Sequence, residues 1–458
     1  MKHLSTIEYS IIFGAIVLLV ADLFFQILPI IPVAACLVAY CVITSNRYEN
    51  IFLLLFFYSF AIGIIMRFYN ISGIGGMCVP LGLLILSWHV FTRKVEFYHF
   101  GHSVVPLLAL LALFGVSALT TEGGDVAMKK YTDTIYHGMT ALAMFTYLFS
   151  NLDRINTQRM GLYYILYSFV LLRMSIPIDG IPGPENIFDI GFLRNQIISM
   201  GLLEESEGFM IFYQTLGFYC MQGLGLFMIR LYDEKTSTIL TVMSIALLLV
   251  LYTGSRQAIL TFFIMAIVWS LLSEKGSLIS KVMIPLFVVY VIGSLLQTLI
   301  SEGNLLNSVY SEGYVQGGSR GPWLLAGIQQ FLSHPIWGVG YGRYAIFGVY
   351  GSYPHNMFIE LLCETGLIGF SVAIFFATRF FMPSRTAFPV VLYLFIAFFS
   401  RAMVSDSLAY NIQNFALIFS LPALKEWIAY YEGDWDLTQE EMEEEENIEE
   451  EEWTASLQ

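Results

Sequence analysis

Arginine, histidine, glycine and aromatic residues gather in three stretches in the second half of this 458-residue chain. The first is Tyr252-Thr253-Gly254-Ser255-Arg256-Gln257-Ala258, a narrow polar break between two apolar runs. An arginine at such a depth is costly in lipid unless its head snorkels to the interface or meets an anion. The second is Gly318-Ser319-Arg320-Gly321-Pro322-Trp323, followed by Leu324, Gly327, Ile328, Phe331 and Leu332. Spacings of three and four put those residues on one face of a helix lying in the interface, with Ser319 and Pro322 as its start signals. That stripe reads as an anchor, and Arg320 at its polar entry is the residue with chemistry to offer. The third stretch runs His334-Pro335-Ile336-Trp337-Gly338-Val339-Gly340-Tyr341-Gly342-Arg343, then Pro354-His355-Asn356-Met357-Phe358 and Glu364-Thr365-Gly366-Leu367-Ile368-Gly369. The run from His355 to about Met382 is longer than one span needs at about 1.5 Å per residue. Its first turns then stand above the hydrocarbon, with His355 at headgroup depth.

Each of these residues has a plain structural reading beside the chemical one. Arg256 can simply snorkel, His355 can cap a helix or face headgroups, and His334 before a proline reads as part of a tight turn. Glu364 reads first as a partner for a neighbouring helix. Trp323, Trp337, Tyr341, Tyr344, Tyr350 and Tyr353 offer faces for sugar stacking, although aromatic belts occur at any membrane interface. Arg401 flanks the turn between the last two apolar runs, and Arg173 and Arg194 flank another long connection; ordinary interface charge accounts for them as well as ligand binding does. No Walker A motif, dinucleotide fingerprint or carboxylate cluster for a metal is evident, so neither metal nor cofactor is expected. The alternating Gly338, Gly340 and Gly342 do not read as a phosphate loop.

The elements that must position these residues are membrane helices. Hydrophobic residues make up 57% of the chain and charged ones only 13%, too few to clothe a soluble fold. Apolar runs fall at 9–27, 29–44, 50–66, 77–91, 102–120, 134–150, 160–177, 208–229, 236–253, 257–273, 281–300, 355–378, 387–401 and 407–422. Backbone groups in lipid must be satisfied within the segment, so the fold class is all-α and polytopic, with about fourteen spans of roughly 20 residues, or twelve to fourteen allowing for slips in hydropathy. Residues 1–430 read as one membrane domain with long loops at 178–207 and 301–354. The first run lacks a cleavage site and reads as a retained helix.

Orientation follows from Lys and Arg, which cytoplasmic loops hold in excess. Arg47, Arg93, Lys94, Arg154, Arg159 and Arg230 share one side, with both termini cytoplasmic, and the two long loops then face outward. Much of the net charge of -14 comes from the run Glu440 to Glu452. Residues 431–458 read as an acidic, disordered cytoplasmic tail that would repel nucleic acid, so no nucleic-acid partner is expected. Cys36, Cys41, Cys78, Cys220 and Cys363 contain no CxxC pair and suggest no disulfide framework.

Five motifs in order carry a resemblance: Ser255-Arg256-x-Ala258; Arg320 with Trp323; Phe331-x-x-His334-Pro335-x-x-Gly338-x-Gly340; His355-Asn356-x-Phe358; and Leu362-x-Glu364-x-Gly366-Leu367-Ile368-Gly369. Over residues 252–369 the chain resembles the O-antigen ligase and O-antigen polymerase family. The first half is similar only in its many helices.

The resemblance implies a metal-independent glycosyltransferase of the bacterial inner membrane. It would take a glycan from undecaprenyl pyrophosphate at the periplasmic face and pass it to an acceptor hydroxyl. Within it, Arg256 and Arg320 are expected to stabilise the departing pyrophosphate, and His355 to accept the hydroxyl proton. Arg343, Trp323, Asn356, Arg194 and Arg401 are further candidates for binding substrate. A polymerase joining lipid-linked repeat units is expected ahead of a ligase transferring to lipid A core or protein, with a chain-length regulator as a candidate partner. A transporter or flippase is the rival from another class, but it would place ionisable groups near the midplane, whereas these arginines cluster at one face.

Overall fold

The protein is described by a computed structural model covering residues 5–25, 27–58, 61–62, 74–92, 94, 97–121, 124–174, 213–229, 236–272, 320–344, 353–354, 356–380, 388–404 and 408–427. Regular structure among these residues is entirely helical. In chain order the helices are α1 (Thr6–Phe25), α2 (Ile30–Thr44), α3 (Arg47–Leu53) running into a π-helical turn at Leu54–Tyr58, α4 (Ile74–Phe91), α5 (Phe100–Thr120), α6 (Gly124–Ser150) and α7 (Thr157–Met174). Then come α8 (Tyr213–Met228), α9 (Thr236–Thr253), α10 (Arg256–Leu272), α11 (Arg320–Ser333), α12 (Met357–Phe380), α13 (Phe388–Val404) and α14 (Leu408–Phe419).

The apolar runs read from the sequence fall on these helices, except the run 281–300, which lies outside the described residues, as do most of both long loops and the tail 431–458. Among the described residues, four helices are long and apolar enough to cross a membrane: Thr6–Leu23 within α1, Phe100–Thr120, Thr236–Thr253 and Met357–Phe380. Large apolar side chains lie fully open on the outside, among them Ile43 at 81%, Phe91 at 82% and Leu119 at 75% exposure. Water would penalise such a surface by about 25 cal/mol per Å², whereas lipid does not. This is a membrane protein.

Helix α7 forms the centre, buried on every side from Met160 to Arg173. Helix α8 crosses it in near-backbone contact, since a Cβ at Gly161 would stand 2.4 Å from the Gly223 carbonyl oxygen. Without a hydrophobic drive between helices in lipid, such close packing at small residues holds them together. Charges inside the bundle are paired near its two ends. Arg159 at the start of α7 bridges Glu8 (2.6 Å) and Glu49 (3.0 Å), while Arg173 near the far end of that helix meets Asp22 at 2.9 Å. At about 1.5 Å per residue the two clusters are about 21 Å apart. The Asp22 carboxylate thus accounts for the buried charge of Arg173.

Candidate active site

Helix α12 carries a break, and the break organises the site. Gly366 has φ 62° and ψ −165°, a conformation essentially restricted to glycine. In an unbroken helix Leu367 and Ile368 would donate to the carbonyls of Cys363 and Glu364. Instead Leu367 N–H donates to Pro335 O (2.8 Å) and Ile368 N–H to Ile336 O (3.2 Å), while the carbonyls of Cys363 and Glu364 accept from Val339 (2.8 Å) and Gly340 (3.1 Å). These four backbone groups, orphaned by the break, are taken up by the loop after α11, as a buried backbone requires. The motifs His334-Pro335-x-x-Gly338-x-Gly340 and Glu364-x-Gly366-Leu367-Ile368 are the two halves of one clasp. Gly338, at φ 72°, sits where a Cβ would come within 2.4 Å of the Glu364 carbonyl carbon. His334 is exposed and its carbonyl accepts from Gly338 N–H at 2.9 Å, consistent with a turn residue.

Beyond the clasp the loop plunges into the bundle. Tyr341 is fully buried, its ring stacked on Phe114 of α5 at 4.8 Å, its amide donating to Ser117 Oγ at 2.8 Å and its hydroxyl bonded to Thr134 of α6. Burial raises its phenol above the ordinary range, so it stays neutral. Tyr344 is buried too and donates to the Trp323 carbonyl at 2.7 Å. Neither ring is open to a sugar, so the stacking role offered for them gives way to a structural one. Trp337 is 71% exposed, on the outside of the clasp.

Beneath the loop lies a charge cluster. Lys130 of α6 donates to Glu360 Oε1 (2.5 Å) and Glu364 Oε2 (2.6 Å), and its ammonium stands 4.9 Å from the centre of the Tyr341 ring. Both carboxylates are fully buried; the lysine is 12% exposed. The second Glu360 oxygen accepts the Leu408 amide, which opens α14, at 2.7 Å. Removing one partner from a buried pair of this kind costs about 3–5 kcal/mol, because a charge is left uncompensated. Glu364 therefore does pair with a neighbouring helix, as its type suggested. Glu360 completes a carboxylate pair passed over in the sequence, and Lys130 occupies the space between the two.

Contacts carry the helix starts to one end of the bundle. Arg256 opens α10 after a two-residue turn in which Gly254 takes φ 64° and Ser255 Oγ accepts from the Ala258 amide at 3.4 Å. Gly217 of α8 backs onto this turn, a Cβ there lying 2.7 Å from Ala258 and 3.0 Å from Ser255. Its neighbour Phe218 meets Phe398 of α13 with ring centres 6.2 Å apart, and the adjacent Phe399 meets Phe358 in the first turn of α12 at 5.6 Å. Arg401 lies two positions beyond Phe399. Arg320 opens α11, which runs parallel to α12: Gly327 packs on Pro354 and Ile359, and Gln330 accepts from the Cys363 thiol at 3.2 Å. Asn356 caps α12, its Oδ1 accepting from the amides of Phe358 and Ile359 at 3.1 Å.

Residues 241–374 match the family model for O-antigen ligase. The matched segment spans under a third of the chain and contains the resemblance read from the five motifs. No curated protein and no solved structure matches the chain. The matched segment holds both halves of the clasp, Arg256 and Arg320 at their helix starts, and the junction before α12. A helix N-terminus disfavours a nearby cation by about 0.3–1 kcal/mol. The side chains of Arg256, Arg320 and Arg401, and the residues His355 and Arg194, lie outside the described residues. Arg343 is half-buried, with Nη1 3.5 Å from the Val339 carbonyl, and Trp323 is half-buried on α11. The stripe of α11 packs on α12 through Gly327, while Leu332 stays 67% exposed, the combination an anchoring helix needs.

Proposed function

We propose that the protein is a membrane glycosyltransferase of the O-antigen ligase and polymerase type that extends a lipid-linked glycan at the periplasmic face. The donor is a glycan on undecaprenyl pyrophosphate. The acceptor hydroxyl oxygen bonds to the anomeric carbon and the bond from that carbon to the pyrophosphate breaks. The leaving group keeps the electron pair and His355 takes the hydroxyl proton. Arg256 and Arg320 bind the charge gathering on the pyrophosphate, and no metal is called on. What supports this reading is that the helix starts at Arg256 and Arg320 and the junction before Asn356 all fall within the segment that matches the O-antigen ligase model.

About fourteen spans and a second long outer loop at 178–207 favour a polymerase whose acceptor is another lipid-linked repeat unit, with a chain-length regulator as a partner. The family description favours the second reading, a ligase that passes finished glycan to lipid A core. A deletion strain carrying wild-type or His355→Ala protein separates them. Single-repeat surface glycan with His355→Ala supports the polymerase, and full-length glycan held on the lipid carrier supports the ligase. Repeat units retained on the cytoplasmic side would overturn both in favour of a flippase.

A further inference from the structure

The break at Gly366 has a mechanical cost. It uncouples residues 357–365 from the rest of α12, so the turns that follow the His355–Asn356 junction are not held in place by helix continuity. The clasp secures their lower end at Cys363 and Glu364. At the upper end, beside the apolar contacts of Phe358 and Ile359, the charged first-turn contact is Glu360, whose amide donates to the Asn356 carbonyl at 3.0 Å and whose carboxylate is shared between Lys130 and the Leu408 amide. Lys130 belongs to α6, whose helix begins ten residues before its apolar run, so the lysine projects from a polar extension toward the junction. It also grips Glu364 one turn further down, at the clasp itself. Two points on one helix face four residues apart, held by one ammonium, fix both the height and the rotation of that face. Glu364 Oε1 has no partner among the described residues, so Lys130 is the tether this carboxylate uses.

We propose that Lys130 is a positioning residue for transfer, holding the broken first turns of α12 so that His355 meets the acceptor hydroxyl. The inference rests on the glycosyltransferase reading above. It assigns to the first half of the chain, outside the matched segment, a part in the chemistry. Donor binding is left to Arg256 and Arg320, so loss of Lys130 acts on the chemical step and not on the ground-state complex.

The test uses the full-length purified protein in lipid nanodiscs with a pyrophosphate-linked repeat unit as donor, and compares Lys130→Met, Lys130→Arg and the triple variant Lys130→Met with Glu360→Gln and Glu364→Gln. The triple variant carries no buried charge and serves where the single one does not fold. A misplacement of about 1 Å costs on the order of 10²-fold in rate, so kcat should fall by about that factor in both Met variants while KM for the donor stays within about threefold. Lys130→Arg should recover most of kcat, and amide exchange over residues 356–364 should quicken in the Met variants only. Wild-type kcat in either Met variant, unchanged exchange over 356–364, or a loss confined to KM overturns the positioning role. So does failure of every variant lacking Lys130 to fold, which would make it a folding residue. Absence of transfer by the wild-type protein overturns the functional reading itself, and the role of Lys130 in transfer with it.

Discussion

Replacing Gly366 by alanine tests the clasp directly. The backbone there, at φ 62° and ψ −165°, is a region that costs a residue with a Cβ about 1–3 kcal/mol. The added Cβ would also lie 2.3 Å from the Ile336 carbonyl oxygen and 2.5 Å from the Gly338 amide nitrogen. Both atoms are backbone, so no side chain can swing aside; the loop must lift. Lifting it gives up the bonds donated by Leu367 and Ile368, each contributing about 0.5–1.5 kcal/mol, for a total near 2–6 kcal/mol with the backbone strain included. The assay is unfolding of the purified protein in detergent, with Gly14→Ala as the control, since a Cβ at Gly14 meets nothing within 4 Å. Gly14→Ala should be neutral or slightly stabilising, and Gly366→Ala should melt well below wild type and lose transfer. Equal stability of the two variants would show that the helix tolerates closure at residue 366 and that the exchanged backbone bonds do not hold the site.

Two further outcomes are expected. Arg256→Lys and Arg320→Lys should not restore transfer, because a guanidinium donates two parallel bonds to a phosphate where an ammonium offers a point charge; each lost charged bond, at roughly 1.5–3 kcal/mol, lowers the rate about ten- to a hundredfold, and near-wild-type rates in both would mean that the arginines only snorkel. Cysteine at Ser311 should react with an impermeant thiol reagent on intact cells, and labelling only after the membrane is opened would place the 301–354 loop on the cytoplasmic side.

Much of the helical frame was legible because lipid forces each apolar run into a helix. The polar turn at Gly254–Ser255 and the starts at Arg256 and Arg320 were legible for the same reason, as each interrupts or opens such a run. The start of α6 was not. Its apolar run begins at residue 134, whereas the helix begins at Gly124, because Lys130 and Thr134 spend their polarity on Glu360, Glu364 and Tyr341 and not on water. Glu360 escaped notice for a related reason: its partners lie 230 residues upstream and 48 downstream, beyond any local pattern. Glu360 and Glu364 stand one turn apart in an apolar helix, and that spacing was the available signal. The break at Gly366 was equally hidden, since its orphaned amides are matched only by a loop whose carbonyls face them after folding.

The clasp also sets the size of the unit that can be inherited. Its loop is seated against Phe114 and Ser117 of α5 and Lys130 and Thr134 of α6, all upstream of the matched segment. A segment 241–374 transplanted into another chain would bring the lock without the frame that receives it. An exchange that keeps the loop seated must therefore carry α5 and α6 along with it.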